Sequence, residues 1–249
     1  MKLNYCIGSG NTDSLKFRDF ETQYQSLRLA EGRIFSIDEV VKLPAVNSDH
    51  PHYREWVIRK NSSERLVNYI RKKERVLNVL EAGCGNGWLA ARIADVKNTK
   101  VTGIDLNRLE LMQALIAFEG RRNLYFIFGE MSEIRLKENS FDIIVFASSL
   151  QYFSSLNETI GNALRLLSEQ GEIHIIDTPF YKESELIAAS ERTSEYYSCL
   201  GFQQMREFYF HHSLKELEPF NWKVMYNPNS VQNAFLRKKY PFHWIRVRK

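Results

Sequence analysis

Short apolar segments alternate with amphipathic segments along this 249-residue chain from about residue 63 onward. Apolar runs of four to eight residues are typical of buried strands, whereas apolar residues that recur every three or four positions are typical of helices. The alternation predicts a mostly parallel sheet with helices packed on its faces. The seven predicted strands are RVLNVLEA, KVTGID, NLYFIF, FDIIVFAS, EIHIID, NWKVMY and FHWIRVRK, and we expect the last two to pair antiparallel at the sheet edge.

Polar residues just ahead of the helical segments indicate where the helices begin. Asn61 with Glu64, and Asn107 with Glu110, have the three-residue spacing of a capping box. Gly201 follows a periodic segment, as is typical of a helix end. We therefore predict helices that begin at Asn61, Gly87, Asn107, Asn157, residue 183 and Ser213.

The first 60 residues are less regular than the rest. Within them, Phe17, Phe20, Tyr24 and Leu27 form one stripe of an amphipathic helix. This stripe either docks on the core or forms a lid over a ligand. We expect four regions, which are an N-terminal helical cover (1–60), a core (61–180), an insertion that covers the substrate (181–215) and the C-terminal part of the core sheet (216–249).

The composition is that of a soluble globular protein, with 44% hydrophobic and 26% charged residues. No apolar run approaches the roughly 20 residues of a membrane-spanning helix. The first residues also lack the apolar centre of a signal peptide, so we expect a cytoplasmic protein. The three cysteines, Cys6, Cys84 and Cys199, are far apart and odd in number, which favours free thiols and predicts no metal site.

The net charge is +4, and the C-terminal stretch RKKYPFHWIRVRK is rich in basic residues. Such a stretch favours an anionic partner such as nucleic acid. Charges that protect the edge of a sheet from pairing with other chains explain it equally well. The two interpretations stay open from the sequence.

The stretch VLEAGCGNGWLA places Gly83, Gly85 and Gly87 between the first predicted core strand and its helix. Glycine permits a positive φ and lacks the Cβ that would keep a ligand away from the backbone. The N-terminus of the following helix then faces the crevice at the carboxyl ends of the strands. The turn therefore predicts a nucleotide site.

Two acids define the kind of nucleotide. Asp105 ends the next strand and follows Gly83 at nearly the spacing of an acid that binds ribose hydroxyls. Glu81 precedes the glycines, where a carboxylate would repel a pyrophosphate and attract a sulfonium or an ammonium. The glycines also follow G-x-G-x-G instead of the G-x-G-x-x-G of dinucleotide binders. We therefore favour S-adenosylmethionine (SAM) over NAD as the cofactor.

Four stretches in order, VLEAGCGNGWLA, VTGIDLN, FGEMSEI and FDIIVFASSLQYF, resemble the motifs of class I SAM-dependent methyltransferases of the type 11 branch. The resemblance covers roughly residues 63 to 180. It implies an α/β Rossmann-like fold of three layers, in which a seven-stranded sheet is parallel except for its last strand. It also implies that S-adenosylhomocysteine (SAH) is the product.

The resemblance assigns roles to the residues of the turn. Glu81 and Gly83 stand where the family contacts the amino group of the methionine moiety. Gly85 and Gly87 match the turn under the ribose and the methionine moiety. Asp105 matches the acid that holds the ribose diol.

Five further residues are carried over from the same motifs. Leu106 matches the residue that packs against adenine. Glu130 stands where the family usually has Asp and would accept a hydrogen bond from the adenine amino group, and Met131 would offer its backbone amide. Ala147 and Ser148 match the stretch whose backbone lies alongside the methionine end.

Methyl transfer requires the nucleophile to be held in line with the methyl group, and an oxygen or nitrogen nucleophile also benefits from a base. Tyr152 and Gln151 follow the fourth strand and are expected on the substrate side. Tyr181, His211 and His212 are further candidates. Each of the five has an alternative interpretation as a packed structural residue. The two adjacent histidines cannot share one face of a strand, which argues against a metal site there.

The predicted function is methyl transfer from SAM to an O, N or C nucleophile of a small-molecule or lipid-like acceptor. An RNA or tRNA methyltransferase that uses the basic C-terminus is the alternative within the same chemistry. A SAM-binding regulatory or partner protein without catalysis is the alternative from another class. A nicotinamide dehydrogenase is disfavoured by Glu81 and the glycine spacing. The sequence indicates neither the acceptor nor the oligomeric state.

Overall fold

A computed structural model describes residues 5–7, 15–230 and 240–249. It has strands β1 Tyr5–Ile7, β2 Leu77–Ala82, β3 Thr99–Asp105, β4 Leu124–Phe128, β5 Phe141–Ala147, β6 Leu167–Ile176, β7 Phe180–Tyr181, β8 His212–Ser213, β9 Asn221–Tyr226 and β10 Trp244–Arg248. Its helices are α1 Leu15–Ala30, α2 Ile37–Lys42, α3 Tyr53–Arg71, α4 Trp88–Ala94, α5 Arg108–Ala117, α6 Leu156–Leu166 and α7 Leu186–Cys199. Short 3-10 turns lead into α7 and follow it.

The main sheet has the strand order β1-β4-β3-β2-β5-β6-β10-β9. All neighbours are parallel except that β10 runs antiparallel to both β6 and β9. The seven predicted strands are all present, and the prediction of a mostly parallel sheet with an antiparallel last strand is confirmed. The order reverses at β2, where β3 lies on one side and β5 on the other, and a crevice is expected at such a switch point.

Two apolar clusters cover the two faces of the sheet, because successive side chains of a strand point to opposite faces. Val79 of β2 and Ile143 of β5 are fully buried in the cluster formed with α3, α4 and α5. Their neighbours Leu80 and Ile144 are equally buried in the cluster formed with α6. Strands buried on both sides explain the continuous apolar runs in the sequence.

Two predicted helix starts are wrong. The helix expected from Asn61 begins at Tyr53, and Asn61 lies inside it, where its side-chain amide donates to the Val57 carbonyl at 2.5 Å. Pro51 lies just ahead of this helix and no glycine or proline interrupts the next turns, so the helix runs through the expected boundary at residue 60. The helix expected from Asn157 is capped two residues earlier by Ser155.

The N-terminal region contains a strand as well as helices. β1 pairs in parallel with β4 and adds an edge strand that the sequence pattern did not predict. Within the predicted stripe of α1, Leu27 is buried in a small core with Tyr197 and Met205, which favours docking for this part of the helix. The side chain of Phe17 lies outside the described residues.

Candidate active site

The glycine turn closes against the end of β5. Gly83 has a φ of +75°, and a Cβ at this position would lie 2.4 Å from the Cβ of Ser149. The Ser149 hydroxyl donates to the Ala82 carbonyl at 2.6 Å, which ties the ends of β2 and β5 together. Only glycine fits here, because the backbone is left-handed and there is no room for a side chain.

Asp105 at the end of β3 connects the turn to α5. Its carboxylate accepts hydrogen bonds from the backbone N–H of Gly85 at 2.6 Å and from that of Asn107 at 2.8 Å. Burial raises the pKa of Asp105, although these backbone bonds act in the opposite direction. The carboxylate is therefore held in place at the edge of the cleft, with lone pairs left for further donors.

Gly87 has a packing role in this structure. Its φ is +73°, and a Cβ would lie 2.6 Å from Cζ of Phe126 and 2.9 Å from Cβ of Ala114. Gly87 is the N-cap of α4, so its missing side chain lets α4 approach β4 and α5 closely. Of the ten residues that the sequence assigns to the cofactor, it alone does not line the cleft described here.

Glu81 lies at the bottom of the cleft with 2% of its surface exposed. Burial raises its pKa well above the usual value, opposed by a backbone hydrogen bond from Ala90. Its Oε2 atom has no hydrogen-bond partner in the part of the chain that the structure describes. Because an unpartnered buried carboxylate oxygen is costly, this atom fits a cationic donor such as an ammonium group.

The other predicted cofactor residues surround the same cleft, whose volume is about 470 Å³. Leu106, Glu130 and Met131 line one end, and Ala147 and Ser148 line the wall formed by the end of β5. Ser148 has a φ of +55°, and its hydroxyl accepts a hydrogen bond from Arg59 of α3 at 3.2 Å.

Arg59 was not predicted from the sequence. It forms an ion pair with Glu55 at 2.7 Å, and Glu55 also pairs with Arg33 at 2.6 Å. Burial acts against ionisation of Glu55, but the two arginines outweigh it and lower the pKa of Glu55 to about 2. Glu55 therefore remains ionised at neutral pH, and its ion pair with Arg59 holds a guanidinium beside Ser148.

Four aromatic side chains, Phe20, Tyr24, Tyr152 and Phe208, cover the cleft and are called the aromatic roof below. Tyr24 lies edge-on to Tyr152 with ring centroids 5.5 Å apart, and Phe20 meets Phe208 at 5.4 Å. α1 thus contributes Phe20 and Tyr24 to the wall of a ligand cleft, while Tyr24 also packs with Leu27 in the small core, so both interpretations of the stripe apply.

The predicted catalytic candidates fall in different places. Tyr152 lines the cleft, and burial raises its pKa, so its hydroxyl remains protonated at neutral pH. Gln151 is buried beneath the wall, where its amide donates to the Ser148 carbonyl at 2.8 Å. Tyr181 lies on β7 and His211 just before β8, with their ring centroids 5.4 Å apart. Neither residue lines the cleft. His212 is buried and bonds backbone carbonyls at 3.0 and 3.2 Å.

Comparison with known proteins identifies the family to which the chain belongs. A family model described as a methyltransferase domain matches residues 73–230. The chain belongs to this methyltransferase domain family. Its sheet order, with the glycine turn at the switch point and the antiparallel strand inserted next to β6, is that of the class I SAM-dependent methyltransferases.

The individual relatives are distant. Over 97 residues, the chain is 27% identical to a malonyl-[acyl-carrier protein] O-methyltransferase from Buchnera aphidicola, and this match covers 39% of this chain and 38% of that protein. A malonyl-[acyl-carrier protein] O-methyltransferase from Priestia megaterium and a demethylmenaquinone methyltransferase from Lactococcus lactis are also matched over less than half of their length.

Two solved structures share the fold over nearly the whole chain. Phosphoethanolamine N-methyltransferase 2 from Haemonchus contortus, in complex with SAM, has a TM-score of 0.59 at 14% identity and covers 92% of this chain and 59% of that one. Geranyl diphosphate C-methyltransferase from Streptomyces coelicolor has a TM-score of 0.57 at 12% identity, and the match covers 94% of this chain and 97% of that one.

The described residues contain neither a metal-binding cluster nor a helix that could cross a membrane. No group of three or more His, Cys, Asp and Glu side chains is arranged to hold a metal ion. No helix in residues 15–230 combines the length and the apolar character that crossing a bilayer requires.

Proposed function

We propose that this chain binds SAM in the cleft above the glycine turn and transfers its methyl group to a small-molecule acceptor. The observation that supports this most is the unpartnered, buried carboxylate oxygen of Glu81, which lines a cleft of a methyltransferase domain. A cationic donor satisfies this oxygen, and a pyrophosphate does not.

The residues around the cleft fit the parts of SAM one by one. We assign the methionine ammonium to Glu81 and the methionine carboxylate to Arg59 beside Ser148. We assign the ribose hydroxyls to Asp105, whose carboxylate is fixed by the backbone N–H groups of Gly85 and Asn107 and keeps lone pairs for further donors. Leu106, with Glu130 and Met131, forms the adenine end of the cleft in this proposal.

SAM supplies a methyl group that is already activated by its sulfonium, so the protein contributes mainly by positioning. The aromatic roof excludes water above the turn and packs against the apolar part of an acceptor. Tyr24 and Tyr152 keep their protons because burial raises the pKa of each, and they serve as hydrogen-bond donors that orient the acceptor.

The charges around the cleft favour a small molecule over RNA. The basic residues among the described lining are Arg28, Arg33 and Arg59, and each has a carboxylate partner within 3.5 Å. Such arginines do not provide the unneutralised track that a phosphate backbone requires. Of the basic C-terminal residues, Arg246 and Arg248 face the buried Glu172 at the opposite end of the sheet.

The acceptor atom is best found by direct assay. The names of the similar proteins refer to O-, N- and C-methylation, so we propose testing carboxylic acids, alcohols, amines and activated-carbon compounds of small size. Formation of SAH above the acceptor-free rate supports the proposal. Tight SAM binding without turnover on any class, or on extracts of small metabolites, would instead favour a non-catalytic SAM-binding protein.

Replacing Asp105 by alanine is expected to weaken SAM binding by about 1–3 kcal/mol, because ribose hydroxyls would lose a charged acceptor in a partly buried site. Isothermal titration calorimetry measures this directly. Asp142→Ala is the matched control, because Asp142 lies at the other end of the sheet, where it accepts from Arg75, the backbone N–H of Asn78 and the Ser168 hydroxyl. An Asp105→Ala affinity equal to that of the wild type would remove this residue from the site.

A further inference from the structure

Three carboxyl groups, those of Glu81, Asp105 and Glu110, line the cleft around the glycine turn. Two of them are held by backbone N–H groups, since Asp105 accepts from Gly85 and Asn107, and Glu81 accepts from Ala90. Glu110, in the first turn of α5, differs because, among the described residues, its carboxylate accepts only a bond of 3.2 Å from the side chain of Asn107.

The carboxylate of Glu110 lies directly over the turn. Its Oε2 atom is 3.4 Å from the point at which a Cβ of Gly85 would stand. In the proposed cofactor placement, this is where the ribose meets the methionine moiety, which is the position of the sulfur. Because glycine has no Cβ, no side chain of residue 85 separates this carboxylate from a bound ligand.

Charged and titratable groups from several elements face Glu110. Arg28 of α1 attracts the carboxylate but donates instead to the Tyr24 hydroxyl at 2.7 Å, and its ion pair at 3.5 Å is with Glu31. Arg59 of α3 also attracts Glu110, whereas Asp105 repels it. The remaining titratable neighbours are the Cys84 thiol and the phenols Tyr24 and Tyr152.

The proposed function leaves one charge of SAM without a partner. The ammonium is assigned to Glu81, the carboxylate to Arg59 and the ribose to Asp105, so only the positive sulfur remains. Methyl transfer turns the sulfonium into a neutral thioether and leaves the rest of the cofactor unchanged. A group that distinguishes SAM from SAH must therefore act on the charge of the sulfur or on its methyl group.

Resting on that function, we propose that Glu110 is the counter-charge of the sulfonium and makes the site bind SAM more tightly than its neutral product. The difference favours release of SAH after each transfer. Glu110 is a specificity-determining residue in this proposal, and it takes no part in the bond changes themselves.

The protonation of Glu110 gives the proposal a second consequence. Burial raises the pKa of Glu110 to about 7, with repulsion from Asp105 adding to the effect and Arg28 opposing it. A sulfonium beside the carboxylate lowers this pKa again, so binding of SAM near pH 7 releases a proton. Binding of SAH has no such effect, because the thioether carries no charge.

The test is calorimetric titration of the full chain with SAM and with SAH separately. We expect Glu110→Gln to weaken SAM about tenfold and SAH less than about twofold, since two unit charges a few Å apart attract strongly in a partly buried site. Glu81→Gln should weaken both ligands in parallel, because the ammonium is common to them. Glu119→Gln, which alters an exposed acid just after the C-terminal end of α5 and outside the cleft lining, should change neither.

The pH dependence provides an independent readout. Between about pH 6 and about pH 8, the ratio of the SAM affinity to the SAH affinity should rise in the wild type as Glu110 ionises, and should stay level in Glu110→Gln. The ligands' own amino and carboxyl groups cancel in this ratio.

Two outcomes would overturn the inference while leaving the proposed function intact. One is an equal loss of SAM and SAH affinity in Glu110→Gln, which would mean a structural role. The other is a ratio of SAM affinity to SAH affinity that does not change with pH in the wild type. If the wild type bound neither ligand, the proposed function would be the part that fails.

Discussion

Replacing Glu172 by alanine is expected to lower the free energy of unfolding by about 3–5 kcal/mol, because removing one member of a buried ionic cluster leaves its partners unpaired. Glu172 lies in β6 with 1% of its surface exposed. It accepts from Tyr69 and Lys73 at 2.7 Å and from Arg248 at 2.6 Å. Urea unfolding at pH 7 measures the loss.

Glu169 offers the matched control in the same strand. Its side chain is 89% exposed and lies 3.9 Å from the Lys249 ammonium, so Glu169→Ala should change the stability by less than about 0.5 kcal/mol. Similar losses for the two variants would show that the cluster around Glu172 contributes nothing beyond an ordinary surface pair.

The effect of Glu172 should also depend on pH. Burial alone would raise its pKa, but His174, Lys73, Tyr69 and Arg248 outweigh burial and hold the pKa well below the usual range. The stabilisation is thus fully present above the ordinary glutamate pKa of about 4.3 and is lost as the pH falls below it. The stability difference between the wild type and Glu172→Gln should therefore narrow on acidification from about pH 5 to about pH 3.

Gly83→Ala is the second change with a large expected effect. A left-handed backbone costs a non-glycine residue about 1–2 kcal/mol, and forcing a Cβ against Ser149 adds about 1–3 kcal/mol of overpacking. We therefore expect the free energy of unfolding to fall by about 2–5 kcal/mol, measured by urea unfolding without ligand. The clash is severe because the new atom would meet a strand end held by its own hydrogen bond at 2.6 Å.

Gly85→Ala separates the two causes. Gly85 has a similar φ of +53°, but a Cβ there would meet only the carboxylate of Glu110 at 3.4 Å. The free energy of unfolding of Gly85→Ala should therefore fall only by the cost of the left-handed backbone, about 1–2 kcal/mol. Equal losses at Gly83 and Gly85 would contradict the assignment of Gly83 to a steric contact with Ser149.

The strands could be predicted from the sequence because their signals are local. β2 and β5 are mostly apolar since both of their faces are buried, with Asn78, Glu81 and Asp142 as the polar exceptions, and turn residues border them. The class of the cleft followed from Glu81, the glycines and Asp105, which also lie within single strand–turn units.

The start of α3 and the strand β1 could not be predicted in the same way. Residues 53 to 60 are polar or irregular in pattern and are helical because Trp56 packs against Trp88 of α4, with ring centroids 5.5 Å apart. β1 has only three residues and is defined by its pairing with β4. Both depend on partners that are distant in sequence, so no local pattern reveals them.

The same limit applies to the site. Arg59 and the aromatic roof reach the cleft from elements far apart in the chain, and their positions follow from tertiary packing. Glu110 was visible in the sequence, but as a partner of Asn107 at a helix start rather than as part of the cleft. Gly87 shows the converse, because its motif position indicates a ligand while its surroundings require close packing of α4.

The central claim is that a cationic adenosyl compound binds at Glu81. Calorimetric titration of the wild type and of Glu81→Gln with SAM, SAH and NADH tests it most directly. We expect the wild type to bind SAM and SAH but not NADH, and we expect Glu81→Gln to weaken both adenosyl ligands by about tenfold, consistent with the loss of a charged hydrogen bond. Binding of NADH without SAM or SAH, or unchanged affinities in Glu81→Gln, would contradict the account.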